Sequence, residues 1–124
     1  MDGRSITNLD REDMTRPTHA DAMAYLRSSL EGAEEDIRRA RAVQNGANIH
    51  TIAQNDMYVG GLIRSLRNGT KWFDDKPISK VFTIAQKVRT ARATLRLIAA
   101  GVPHKEAESR GRVETERILK GETS

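Results

Sequence analysis

The sequence predicts an all-α fold: a small bundle of five or six helices, with one long helix in the C-terminal half. Three observations carry this. Aromatics are 4% of the 124 residues against 37% hydrophobics, which suits a core of Ala, Leu and Ile and not the β-branched and aromatic alternation of strands. Apolar residues recur at spacings of three and four over two long stretches, the signature of a one-sided helix. Glycine, asparagine and proline fall between those stretches, where helices start and stop.

The polar segment 1–17, ending in Thr15-Arg16-Pro17, reads as a flexible arm. Thr18 and Asp21 then form the Thr-x-x-acid pattern of a capping box. Met23, Leu26, Leu30, Ala33, Ile37 and Ala40 make one apolar stripe, with Gly32 placed to break it in two at a cost of about 1 kcal/mol if it does not. Gly46 suits the left-handed position after a helix. Asn48 suits the N-cap of a short helix over about Ile49–Asp56. Asp56-Met57-Tyr58 is read as a turn, and a second short helix runs from about Val59 to Arg67, closed by Asn68-Gly69. Residues 70–77 are a loop, with Trp72 and Phe73 anchoring it on the core and Asp74 and Asp75 as turn and cap residues before Pro77. The long helix spans about Ile78–Ala100. Val81, Ile84, Ala85, Val88, Ala91, Leu95, Ile98 and Ala99 lie on one face, and Arg89, Arg92 and Arg96 on its flank. Gly101 and Pro103 stop it. Residues 102–124 make a charge-balanced C-terminal helix and tail. The organisation is therefore an arm (1–17), a helical domain (18–101) and a C-terminal helix.

Charge is unevenly placed. Residues 1–36 carry four Arg against nine acids, residues 37–101 twelve Lys/Arg against three acids, and residues 102–124 five of each sign. A concentrated basic block is what a polyanion-binding surface requires, although a solvated helical surface has the same composition. Cysteine is absent, which excludes a thiol nucleophile, a disulfide framework and a zinc knuckle. His19, His50 and His104 lack metal-ligand spacing. No nucleophile elbow or phosphate-cradling glycine loop is present. The expectation is thus no catalytic residues, no metal, no cofactor and no membrane span, in a cytoplasmic bacterial or phage protein.

The stretch from Gly46 to Gly69 carries the functional signal. Read as helix, turn, helix, it sets Ala53 as the small residue where two helices touch. Ile52, Ile63 and Leu66 become the apolar residues that hold the crossing angle. With the closing Leu66-Arg67-Asn68-Gly69, these spacings resemble the Cro/repressor-type helix-turn-helix. Pro77–Ala85 resembles the start of that family's next helix, so the resemblance covers about residues 37–88. It implies a homodimeric regulator that binds double-stranded DNA with its second helix in the major groove. The implied DNA contacts are Thr51, Tyr58, Gly60, Gly61, Arg64, Ser65, Arg67, Asn68 and Lys71, with Arg89, Arg92 and Arg96 touching backbone or partner. The chain departs from the family in three places. Met57 stands where the family prefers glycine, Gly60 and Gly61 stand at base-facing positions, and the helix after Pro77 is long. Glycines make no side-chain contact to bases, so binding would rest on phosphates and fall steeply with salt. A weaker echo of the same motif spans residues 101–119. The opposing expectation is a helical protein-interaction module, such as a phage-type inhibitor or assembly component, that binds no DNA.

Overall fold

The computed structural model describes residues 17–123, and the side chains at 118, 119 and 121–123 are not described. The expected arm falls, for residues 1–16, outside the described residues. Among those described there is no strand, and the fold is a bundle of helices: α1 (His19–Leu30), α2 (Ala33–Ala42), α3 (Ile49–Arg67), the single turn α4 (Lys71–Asp74), α5 (Ile78–Ala99) and α6 (His104–Thr123).

The first pair forms as the sequence dictates. The Thr18 hydroxyl accepts from the Asp21 amide at 3.1 Å, and the Asp21 carboxylate accepts from the Thr18 amide at 2.9 Å, so two orphan donors at the start of α1 are satisfied. Gly32 takes a left-handed φ of +79° and splits the apolar stripe into two helices. All six stripe residues are nevertheless buried.

α5 is the axis of the bundle. Val81, Ile84, Ala85, Val88, Ala91, Leu95 and Ile98 are buried along it, and α1, α2, α3 and α6 all pack on it. Ala99, expected on the same face, is half-buried. Gly101 is left-handed at φ +94° and ends the helix. α6 then returns along α5 with Ala107, Gly111 and Thr115 buried. A Cβ added at Gly111 would lie 2.6 Å from Thr94 Oγ1 and 3.2 Å from the Thr94 backbone nitrogen. Only glycine lets the two helices approach this closely.

Three local expectations are corrected. Gly46 is not left-handed; α2 already ends at Ala42, and the positive-φ glycines among the described residues are Gly32, Gly69 and Gly101. The link is built instead by two asparagines. Asn48 Oδ1 accepts from the Asn45 amide at 2.8 Å, and Asn45 Oδ1 accepts from the Ala47 amide at 2.8 Å. Asn48 stands at the N-cap of α3, but its side chain turns back to this loop and caps nothing. In the next connection Phe73 is fully buried while Trp72 is half-exposed. The indole stands edge-on to the Phe73 ring and carries the Lys76 ammonium 3.9 Å from its centroid. The His19 ring donates from Nε2 to the Phe73 carbonyl at 3.0 Å, tying this turn to the start of α1.

Candidate interaction face

The expected turn at Asp56-Met57-Tyr58 does not exist. Residues Ile49–Arg67 form one unbroken helix of 19 residues, so there is no helix-turn-helix at 46–69. The physical reason lies in the residues themselves. A tight turn there needs a left-handed backbone, which a Met disfavours, and no non-glycine residue among those described has positive φ. Ile52, Val59 and Leu62 are also spaced to bury one continuous face, which holds only if the helix runs unbroken through residues 56–58. Ala53, expected at a helix crossing, is exposed. Ile63 and Leu66 pack on the core from the same helix as Ile52. The echo at 101–119 has no turn within its helical part either, because α6 runs unbroken from His104 past its end.

Loss of the turn redistributes the implied DNA contacts. Thr51 is buried. Gly60, Gly61 and Ser65 are half-buried, whereas Tyr58, Arg64, Arg67, Asn68 and Lys71 are exposed. Burial against its neighbours pushes the Tyr58 phenol above its ordinary value. The three arginines of α5 are engaged within the bundle, Arg96 with its side chain still 59% exposed. Arg92 Nε donates to Asp36 Oδ2 at 2.7 Å, and its Nη1 donates to the Ser29 and Glu31 carbonyls at 2.8 and 2.7 Å. Arg96 reaches the same Asp36 oxygen at 3.1 Å. Arg89 lies over the Tyr25 ring, 4.3 Å from its centroid. Arg92 thus closes the C-terminal end of α1, and Arg92 and Arg96 together tie α5 to α2.

Much of the remaining basic block is matched by acids of α2 and α3. Arg38 and Arg39 both bind Glu35, whose carboxyl they lower from 4.5 to about 2, Arg38 contributing most. Arg41 pairs with Asp56, and Arg67 with Glu34 at 3.0 Å. The uneven charge of the sequence therefore becomes, in the fold, an acidic α2 start facing basic partners. Arg64 makes no ion pair among the described residues. It lies with Arg38, Arg41 and Arg67 along the groove between α2 and α3, beside Gly60.

What remains is the outer face of α3. His50, Ala53, Gln54, Met57, Gly61 and Arg64 point away from the core at helical spacing. Met57 is 75% exposed, the most exposed large hydrophobic side chain among the described residues. The space over Gly61 is open: an added Cβ would meet nothing nearer than the Arg64 guanidinium at 4.0 Å.

No protein-family profile, curated protein or solved structure matches this chain.

The described residues hold no cluster of three or more His, Asp or Glu that could bind a metal ion. No described helix is long and apolar enough to cross a membrane. Sequence reasoning missed the roles of Asp36 and Arg92. The signal was present as an acid in the first turn of one helix and an Arg on a distant one, but their meeting is set by the packing of α2 on α5. The outer face of α3 was also missed, because a turn at Met57 divides it.

Proposed function

We propose that this chain is a non-enzymatic α-helical interaction module that engages a protein partner through the outer face of α3. The single observation that carries the reading is the character of that face. Over its outermost positions the only charge is Arg64, while Met57 stands out from it and Gly61 leaves a hole beside it. Depletion of charge with an exposed Met is the composition of an interface centre. A solvated helix face is normally charged, as on α2 with Glu34, Glu35, Arg38 and Arg39. The glycines support the same reading. Gly60 and Gly61 each weaken the helix by about 1 kcal/mol relative to Ala, and no close packing within the chain repays that cost at Gly61.

A second reading, nucleic-acid binding, is favoured by the α2–α3 groove, where four arginines face Glu34 and Asp56. It no longer uses a helix-turn-helix, and two of its arginines are already paired with those acids. Fluorescence anisotropy with a random-sequence duplex, titrated against salt, separates the two. The slope of log affinity on log salt counts neutralised phosphates at about 0.9 each. The interaction-module reading expects a slope magnitude below about 2. A slope of about 4 or more, removed by Arg64→Ala with Arg67→Ala, overturns it in favour of nucleic acid.

A further inference from the structure

We propose that the partner on the outer face of α3 is a second copy of this chain, packed α3 against α3 in antiparallel fashion about a two-fold axis between Met57 and Gly61. This rests on the reading of that face as a protein interface, and names its occupant. A two-fold contact requires a surface complementary to itself, and this face is. A large exposed side chain, Met57, lies one turn from an open position, Gly61. Reversing the helix direction sets Met57 of each copy over Gly61 of the other.

The charges are ordered in the same sense. The one charge of this face, Arg64, lies in the C-terminal half of α3, whereas Asp56 and Arg67 are turned to Arg41 and Glu34 of α2. Antiparallel pairing about that axis puts Arg64 of one copy level with the uncharged Gln54 of the other. Parallel pairing would set Arg64 against Arg64. The antiparallel arrangement also opposes the two helix dipoles favourably.

The size of the contact fixes its strength. At 1.5 Å per residue, 19 residues of helix are about 28 Å long. One helix face of that length buries less than a standard stable interface. The dimer is accordingly weak and concentration-dependent.

Sedimentation equilibrium on the full chain from about 10 µM to about 1 mM tests this, using wild type, Met57→Glu and Gly61→Leu. Met57 is exposed and a side chain added at Gly61 enters open space, and circular dichroism checks that each variant is folded. Wild type is expected to shift from monomer towards dimer, and both variants to weaken dimerisation at least tenfold. If Gly61→Leu fails to fold, Met57→Glu alone decides. A wild type that stays monomeric throughout, or a Met57→Glu variant that dimerises like wild type, overturns the second copy as partner. The broader reading fails separately, on steep salt-dependent duplex binding.

Discussion

Arg92 Nε lies 2.7 Å from Asp36 Oδ2, and the two side chains are only 11% and 10% exposed. The same guanidinium holds the last carbonyls of α1 at Ser29 and Glu31. One residue of α5 thus holds the break at Gly32, its Nη2 lying 3.4 Å from where a Cβ on that glycine would stand. Removing one partner of a buried pair costs about 3–5 kcal/mol, because the other charge is left unmatched. Arg92→Met is expected to lower unfolding stability in urea by about that amount. Arg96→Met, on a side chain 59% exposed, is expected to cost about 1 kcal/mol or less. Equal effects from the two substitutions would contradict this division of labour.

Gly111 sets the distance between α5 and α6. A methyl at this position overlaps Thr94 Oγ1 and presses on the Thr94 backbone. Overpacking of this kind costs about 1–3 kcal/mol, so Gly111→Ala is expected to lower the Tm. Thr94→Ala in the same chain removes only the hydroxyl clash and recovers part of the loss, since the backbone contact remains. Full recovery would mean that the helices are free to move apart.

Gly61→Ala has the opposite sign. Its Cβ enters open space, so helix propensity alone acts and the folded monomer gains about 1 kcal/mol. Thermal unfolding at low protein concentration reads this as a rise in Tm. A fall would mean that something within the chain already occupies the position.

The pH dependence follows Glu35. Its carboxyl is held at about 2 in place of 4.5 by Arg38 and, next, Arg39. A depressed acid contributes stability that is fully present above pH 4.5 and is lost as pH falls through about 2. Both sides of this cluster face solvent, so the effect on global stability is small. A carboxyl-carbon NMR titration is expected to give a midpoint near 2, returning towards 4.5 in Arg38→Ala with Arg39→Ala. An unshifted midpoint in the wild type would remove the cluster from solution.

The helices that are legible from the sequence are those whose boundaries rest on local chemistry. Thr18 and Asp21 act through side chains on each other's backbone, Gly32 and Gly101 through their own φ, and each is in place. Phe73 is the anchor that hydrophobicity alone predicts. The misread region, 46–69, is where two periodicities coincide. Ile52, Ile63 and Leu66 satisfy the spacing of two crossed helices, but with Val59 and Leu62 they also satisfy one straight helix. Spacing alone does not separate the two; the residue at the turn does, and Met57 has no reason to turn left-handed. The arginines of α5 were misplaced for a different reason. Periodicity gives the side of a helix on which they lie, but not that Asp36 waits there.

Met57, exposed on an unbroken α3, is the residue proposed to seat against a second copy. The most direct measurement is the 13C-methyl NMR signal of Met57, followed from about 50 µM to about 1 mM, with the buried Met23 as internal reference. The account predicts that the Met57 methyl shifts with concentration in wild type while Met23 holds still, and that Gly61→Leu suppresses the shift. A Met57 signal unchanged across that range would contradict it.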